Sequence, residues 1–429
     1  MGEEKAWRRR LLLKGGVMRR NSGLGGASVH GDRSGTTIRA MASTASMPPE
    51  TRALLATEFP QENGLLYLNH AGIAPWPRRA AQAVQRFAEE NVRHGGWAYE
   101  DWLQCERRLR EQCRQLLNAP SASDIALLKN TSEALSFVAA GLPWRRGDNV
   151  VTCADEFPSN RIPWEALQGR GVELRQVDWP QCGASSEELA LLAACDERTR
   201  LMTVSSVQYG NGRRLNLKIL GDACRERGIR FCVDAIQHLG ALPFDVQEIG
   251  ADYVAADGHK WMLGPEGVAL FYCAAERREE LALSEYGWRM VQDAGDFERR
   301  DWRPADDARR FECGSPNMLG IHALSASLSL LLEIGLEAVS NQIHRNTLYL
   351  VNYIKENDEL SLLEPVGELR RAGIVSFRAR GATPERLCAE LRRRGVFCAS
   401  RHGGLRFSPH CYQGEEQLAA ALRHLEALL

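Results

Sequence analysis

The chain has 429 residues, of which 44% are hydrophobic and 25% are charged, and its formal net charge is −1 at pH 7. This length predicts two domains with an ample core, and the composition is ordinary for a soluble globular protein. The balanced charge offers no electrostatic argument for nucleic acid or an anionic membrane as a partner. No apolar run approaches the roughly 20 residues of a membrane span, so we expect a soluble protein.

The 12 cysteines are scattered along the chain, without a C-x-x-C pair or a nearby pair of histidines, so they do not indicate a zinc site or another metal site. Several of them, such as Cys113 and Cys232, lie in apolar patterns where a free cysteine behaves as a small hydrophobe. This usage indicates a reducing compartment. The apolar run from Leu11 to Leu13 is too short for the core of a secretory signal peptide, so we expect a cytoplasmic protein.

Residues 1–46 differ from the rest of the chain because basic residues outnumber acidic ones and no apolar periodicity appears. We expect this segment to be disordered. Three explanations remain open for it: an overcalled start of translation, with Met41 or Met47 as the true start, an organelle transit peptide, or a plain disordered tail.

From residue 47 onward, apolar patterns alternate between strands and helices. The stretch 64–72 predicts a short strand that runs into a tight turn. Further strands are predicted at 125–128, 150–152, 201–206, 231–233, 253–256, 268–272 and 373–378. Helices are predicted at 101–117, from 130, at 216–227, 321–336, 348–354 and 385–394, and at the C-terminus. The helix at 216–227 has Asn216 as its expected N-cap and Gly228 as its expected C-cap.

Two of these strands end in charged residues that suggest a ligand site. The run 231–233 ends at Asp234, and the run 253–256 ends at Asp257-Gly258-His259-Lys260. Both runs predict buried parallel strands, and ligands of open α/β sheets collect beyond the carboxyl ends of strands. Burial lowers the pKa of a lysine and leaves a nucleophilic amine that can form a Schiff base with an aldehyde cofactor. A nearby carboxylate can pair with a pyridinium nitrogen, as a pyridoxal 5'-phosphate (PLP) site requires.

The motif Asp234-Ala-Ile-Gln237, followed by His259-Lys260-Trp-Met-Leu-Gly-Pro-Glu-Gly267, resembles the centre of the class V aminotransferases. That family includes cysteine desulfurases and isopenicillin N epimerase-like enzymes. The resemblance runs from about residue 64 to the C-terminus and implies PLP as the cofactor and the PLP-dependent transferase fold of type I. This α/β fold has a large domain built on a mostly parallel seven-stranded sheet and a smaller α+β C-terminal domain.

The resemblance also implies domain boundaries and four cofactor contacts. We expect an N-terminal segment at 47–76 that packs with the small domain and the active site, a large PLP-binding domain at 77–320, and a small domain at 321–429. Lys260 is expected to carry the internal aldimine and to move the proton, and Asp234 to hold the ring nitrogen protonated. Gln237 is expected to bond the ring hydroxyl oxygen, and His259 to reach the phosphate.

Four further residues are expected to contact the cofactor. Thr131 and Ser132 open a predicted helix, whose free N–H groups suit a phosphate, although a plain N-cap without a ligand is the alternative. Phe157 stands where relatives place a ring that stacks on the pyridine, or else it lies in the core. Ser315 stands in for the family's threonine that reaches the phosphate of the neighbouring subunit. That contact implies a homodimer with a shared active site.

On the substrate side, Arg406 matches the family's carboxylate-binding arginine, because a guanidinium grips a carboxylate bidentately. We interpret Arg401 as structural or as a residue just behind those that contact the substrate. Asn69, His70 and Ala71 belong to a segment that approaches the substrate in relatives, so they are pocket candidates. For His70 a structural role is the alternative, because a lone histidine is more often structural. Tyr209 stands near the position of an asparagine in some relatives, so we expect the substrate side to differ from that of the desulfurases.

The resemblance leaves the reaction open. Our first hypothesis is an enzyme that transaminates or epimerises a small amino acid, with no nucleic acid or membrane partner. The alternative is a cysteine or selenocysteine lyase or a desulfurase-like enzyme, and a distant one is a non-catalytic relative of the fold. Cys398 lies in strand-like sequence and Cys411 follows the arginine, which argues against a persulfide-forming desulfurase. A lyase that releases sulfur directly needs no such cysteine.

Overall fold

A computed structural model describes residues 47–364 and 367–429, and these belong to one compact unit. The predictions for residues 1–46 lie outside the described residues. The central sheet contains β2 (Ile125–Leu128), β3 (Asn149–Cys153), β4 (Glu173–Val177), β5 (Thr199–Ser205), β6 (Arg230–Asp234), β7 (Tyr253–Asp257) and β8 (Ala269–Cys273). Its strand order is β2-β8-β7-β6-β5-β3-β4. Strand β8 pairs antiparallel with β2 and with β7, and all the other pairs are parallel, so the predicted mostly parallel seven-stranded sheet is confirmed.

The strands of this sheet are buried along most of their length, apart from the edge strand β4. Such continuous apolar runs are typical of a parallel sheet covered by helices on both faces. The helices of this part of the chain are α1 (Pro49–Glu58), α2 (Arg78–His94), α3 (Tyr99–Leu117), α4 (Thr131–Gly141), α5 (Ile162–Glu165), α6 (Glu187–Ala194), α7 (Leu217–Arg227) and α8 (Val246–Ile249). The side chain of Asn216 caps α7, and Gly228 ends it with a φ of 68°, as predicted.

A long helical connection leads out of the central sheet. Helix α9 (Met318–Ile334) packs against α2 and α3, and α10 (Leu336–Glu356) begins after Gly335. In the part of the chain that the structure describes, no single helix is long and apolar enough to cross a membrane. The pair of α9 and α10, bent by 84°, meets that test together on length and composition alone.

A second, antiparallel sheet follows, in the order β12-β13-β10-β9. It contains β9 (Leu360–Leu362), β10 (Val375–Ala379), β12 (Ala399–Arg401) and β13 (Gly404–Phe407), and it is accompanied by α11 (Pro384–Arg393) and α12 (Glu415–Glu426). The N-terminal strand β1 (Leu66–Tyr67) pairs in parallel with β11 (Val396–Phe397). The N-terminal segment therefore lies against the C-terminal part of the chain. The exact domain boundaries stay predictions.

Candidate active site

The candidate site lies where the carboxyl ends of β6 and β7 meet. Asp234 is the last residue of β6, and Lys260 follows the end of β7 after a tight turn. Because β6 and β7 pair in parallel, both residues reach the same edge of the sheet. A cavity of about 670 Å³ opens there, and all the predicted site residues except His70 and Ser315 line it. The structure therefore brings together residues that are as much as 337 positions apart, such as Asn69 and Arg406.

Lys260 is a buried amine, with only 8% of its surface exposed. Burial lowers the pKa of Lys260 to about 8, an effect that Asp234 opposes and Arg406 reinforces. Its Nζ lies over the Phe157 ring, 5.4 Å from the ring centroid, and Phe157 also lines the cavity. A lysine with such a pKa has a substantial neutral fraction near neutral pH, so it can act as a nucleophile and as a base.

Asp234 lies deeper in the same cavity and is 2% exposed. Burial raises the pKa of Asp234 to about 6, while the backbone N–H of Ile236 and the charge of Lys260 act in the opposite direction. The Ile236 N–H donates to Oδ1 at 3.0 Å, which fixes the orientation of the carboxylate. A buried carboxylate of this kind suits a cationic partner, such as a protonated ring nitrogen.

The amide of Gln237 is held on both sides. Its Nε2 donates to the backbone oxygen of Ala71 at 3.0 Å, and its Oε1 accepts from the indole N–H of Trp261 at 2.8 Å. A primary amide has two N–H groups, so one donor remains for a group in the cavity. The arrangement fits the predicted contact with a ring hydroxyl oxygen, which stays a prediction.

The phosphate end of the cavity is formed by the start of α4. Asn130 caps this helix by accepting from the backbone N–H of Glu133 at 2.9 Å, and the backbone N–H of Ala134 donates to the Asn130 carbonyl oxygen at 3.3 Å. The N–H groups of the first helical residues, Thr131 and Ser132, have no acceptor within the helix, and both residues line the cavity. The buried hydroxyl of Thr131 has no hydrogen-bond partner among the described residues. An unpaired buried hydroxyl at a helix N-terminus is the arrangement that an anion completes. The site therefore fits the phosphate of PLP.

Two neighbours complete this end of the cavity. Ser132 Oγ lies 2.8 Å from Ser159 Oγ, and both residues line the cavity. The Nδ1 atom of His259 lies 3.0 Å from Oδ1 of Asp257, although the angles do not meet those of a hydrogen bond. His259 lines the cavity beside Lys260. Its contact with a phosphate stays a prediction.

Arg406 forms the opposite wall of the cavity and is 1% exposed. Its Nη1 donates to the backbone oxygen of Tyr209 at 2.8 Å, and its Nη2 donates to Oδ1 of Asn69 at 3.2 Å. Its buried Nε has no partner among the described residues, and burial lowers the pKa of Arg406 to about 10. A buried guanidinium without a carboxylate partner is suited to bind the carboxylate of a ligand.

The structure corrects the prediction that His70 faces the substrate. The His70 ring is completely buried behind the cavity wall, where Nδ1 lies 2.8 Å from the backbone oxygen of Ser408 and Nε2 lies 2.8 Å from the hydroxyl of Tyr412. Burial and nearby His410 hold the pKa of His70 well below its usual value. Both ring nitrogens are engaged, so the residue ties the N-terminal segment to the C-terminal one.

Ser315 also lies outside the cavity of its own chain, and it is exposed. Its predicted contact with the phosphate of a neighbouring subunit therefore stays a prediction.

Sequence reasoning missed the position of Arg401, whose side chain lines the cavity. In the β12–β13 hairpin, Arg401 lies opposite Gly404. Side chains alternate along a strand, so Arg406 shares a face with Gly404 and hence with Arg401. The two-residue loop of this hairpin is His402-Gly403, where both residues have a positive φ, and a residue-glycine pair between two strands is the sequence signal for such a loop. That signal predicts the hairpin but not that this face of it lines the cavity.

Comparisons with known proteins agree with this geometry. A model of the class-V aminotransferase family matches residues 66–420. A probable cysteine desulfurase from Methanothermobacter thermautotrophicus is 31% identical over 385 residues, which cover 85% of this chain and 94% of that protein. A probable cysteine desulfurase from Pyrococcus abyssi is 27% identical over 395 residues, which cover 87% of this chain and 96% of that protein.

Solved structures show the same fold. The apo cysteine desulfurase from Thermococcus onnurineus NA1 superposes with a TM-score of 0.79 at 24% identity, covering 90% of this chain and 99% of that one. The cystine C–S lyase C-DES, in complex with its reaction product cysteine persulfide, has a TM-score of 0.79 at 23% identity and covers 86% of this chain and 99% of that one.

The family match spans most of the chain, and it agrees with the fold and with the buried Lys260 and Asp234 in one cavity. The predictions of the fold and of PLP as the cofactor are thereby confirmed at the level of the family. The chain belongs to the class-V aminotransferase family of PLP-dependent enzymes.

Proposed function

We propose that this protein is a PLP-dependent lyase that cleaves the Cβ–S bond of cysteine or of a cysteine derivative. The observation that carries the proposal is that a single cavity is lined by the buried Lys260, the buried Asp234 and the buried guanidinium of Arg406, whose Nε has no partner among the described residues. The relatives named cysteine desulfurase support our alternative hypothesis over transamination or epimerisation.

Four groups would hold the cofactor. The N-terminus of α4 and the Thr131 hydroxyl suit its phosphate, Asp234 suits its ring nitrogen, and the Lys260 amine suits its aldehyde carbon. The Phe157 ring, next to Lys260, suits stacking on the cofactor ring. When bound, PLP supplies a sink for the electrons that remain at the substrate Cα after loss of its proton.

The chain's own residues then orient the substrate and move its proton. Arg406 binds the α-carboxylate, because it is a buried guanidinium that lines the cavity and its Nε has no partner among the described residues. The neutral Lys260 amine would accept the Cα proton of the substrate, and its lowered pKa of about 8 suits a base that works close to neutral pH.

The position of the cysteines supports direct release of sulfur. No cysteine is among the described residues that line the cavity. Cys398 is buried, and its Sγ lies 3.5 Å from the Sγ of Cys388, next to α11. Cys411 is also buried, and its Sγ lies 3.2 Å from Nδ1 of His410. Neither thiol is placed to accept sulfur from a substrate in the cavity, so we favour a lyase without a persulfide on the protein.

Product analysis tests this proposal. The PLP-loaded protein is incubated with cysteine and with S-substituted cysteines, and thiol or sulfide, pyruvate, ammonia, alanine and D-amino acid are measured together. Elimination consumes one water and yields one equivalent each of sulfide, pyruvate and ammonia per cysteine. Alanine formed in the presence of a reductant would instead support a desulfurase. Pyridoxamine or racemised substrate without sulfide release would contradict the proposal.

A further inference from the structure

Two guanidinium groups open onto the same cavity. Arg406 lies inside it and is 1% exposed, whereas Arg401 is exposed to solvent at its rim. Among the described residues, neither side chain forms an ion pair with a carboxylate. Arg401 Nη1 donates only to the backbone oxygen of Ser400, at 2.7 Å. The α-carboxylate of an amino-acid substrate can pair with only one of these two guanidinium groups, so the other guanidinium is available for a second anionic group.

The hairpin that carries Arg401 is held firmly against the cavity wall. The ring of His402, at the tip of the hairpin, makes an edge contact with the ring of Tyr209 at a centroid distance of 5.0 Å. A Cβ on Gly210 would lie only 2.4 Å from the His402 ring, so this close approach requires a glycine. Ser376 Oγ donates to the backbone oxygen of Gly210 from the neighbouring strand. The position of Arg401 relative to Tyr209 is therefore set by packing.

The charge of Arg401 also reaches the centre of the site. It contributes to lowering the pKa of Lys260 and that of Arg406, which places it within electrostatic range of both. The phosphate-binding end of the cavity lies elsewhere, at Thr131 and Ser132. A second anionic group that extends from the substrate toward the rim would meet the Arg401 guanidinium.

We infer that the cavity is built for an S-substituted cysteine whose substituent ends in a carboxylate. Arg406 holds the α-carboxylate and Arg401 holds the second carboxylate at the rim. This assigns Arg401 as a specificity-determining residue and a dicarboxylate as the substrate class. The inference rests on the proposed C–S lyase function for the identity of the scissile bond. It rests on the two arginines for the second carboxylate.

Binding of a substrate analogue without a leaving group tests the second carboxylate independently of turnover. In 2-aminoadipate, a methylene replaces the sulfur of S-carboxymethylcysteine, and its 6-amide differs only in the loss of the distal charge. Calorimetry gives the Kd of both compounds for the PLP-loaded full-length protein, for Arg401→Gln and for the control Arg380→Gln. The Arg380 side chain is 72% exposed and lies outside the cavity, where it pairs with Glu359.

We expect the unmodified protein to bind 2-aminoadipate about tenfold more tightly than the amide, because a charge-assisted hydrogen bond is stronger than a neutral one. Arg401→Gln is expected to reduce this ratio to about one, Arg380→Gln to keep it, and added salt to lower it. Equal affinities in the unmodified protein, or a ratio that survives Arg401→Gln, would overturn the inference.

A second measurement separates this result from the proposed function. Thiol release is compared for S-carboxymethylcysteine and its neutral S-carbamoylmethyl counterpart. If the binding ratio behaves as expected but no cysteine derivative releases a thiol, then the lyase proposal fails and the second carboxylate site stands. If both compounds release thiol at equal kcat/KM and the binding ratio is one, then the lyase stands and the inference fails.

Discussion

Substitution of Arg406 by lysine tests how the substrate carboxylate is held. The guanidinium donates to the Tyr209 carbonyl at 2.8 Å and to Asn69 Oδ1 at 3.2 Å, and it retains donors for a ligand. A lysine preserves the charge, but its single ammonium cannot serve both wall acceptors and a carboxylate in a fixed geometry. Loss of one charge-assisted hydrogen bond costs about 1.5–3 kcal/mol. We therefore expect kcat/KM for cysteine to fall roughly 10- to 150-fold.

The assay compares cysteine with cysteamine, which has the same thiol and amine but no carboxylate. Arg406→Lys should lower kcat/KM for cysteine strongly and change that for cysteamine by less than about threefold. Arg380→Lys, at an exposed position, serves as the matched control. Thermal unfolding verifies that each variant is folded. An equal loss with both compounds would refute the assignment of Arg406 to the carboxylate.

Three further predictions concern Lys260, Asp234 and His70. The rate at which PLP attaches to the cofactor-free protein should increase as the pH rises through about 8 and should level off above it, because the neutral Lys260 amine is the form that reacts. A rate that continues to increase up to pH 10.5 would contradict this prediction. Lys260→Ala should abolish borohydride-stable labelling of its peptide, as mass mapping would show. Asp234→Asn should stabilise the cofactor-free protein at pH 7.5 by up to about 3 kcal/mol in urea unfolding, because folding raises the pKa of Asp234 from 3.8 to about 6 and so penalises its charged form. This gain in the free energy of unfolding should vanish below about pH 4, where the carboxyl is protonated in both states. The affinity for PLP should fall in the variant. His70→Ala should lower the free energy of unfolding by about 2–4 kcal/mol, because Tyr412 and Ser408 lose a buried partner. Because the folded-state pKa of His70 lies below 6.5, the unfolded chain takes up its proton first, so the stability of the unmodified protein should fall as the pH drops below 6.5, and less steeply in the variant. A tenfold rise of KM in the folded variant would contradict the structural role of His70.

The pairing of Asp234 with Lys260 was predictable because each residue follows a short apolar run of its own. Such runs predict buried parallel strands, and the ends of parallel strands meet at one edge of a sheet. The start of α4 was predictable for a similar reason, since capping depends on a few neighbouring residues. These features depend on local sequence and on a general rule of sheet geometry.

The roles of His70 and Arg401 could not be derived in the same way. His70 is turned away from the cavity by contacts with Ser408 and Tyr412, more than 330 residues later in the chain. Whether a side chain faces a cavity depends on which distant strands pair, and β1 pairs with β11 across almost the whole length of the chain.

The sequence by itself therefore determined the family, the cofactor and the reactive lysine, because local patterns and one spaced motif carry them. Only the tertiary structure decided which side chains meet around the substrate. The pairing of β1 with β11 and the packing of the β12–β13 hairpin on Tyr209 bring Asn69, Arg401 and Arg406 to one wall. The two arginines are neighbours on one hairpin, but their meeting with Asn69 is a property of long-range packing, because Asn69 and Arg406 are 337 positions apart and no local pattern encodes which distant segments meet.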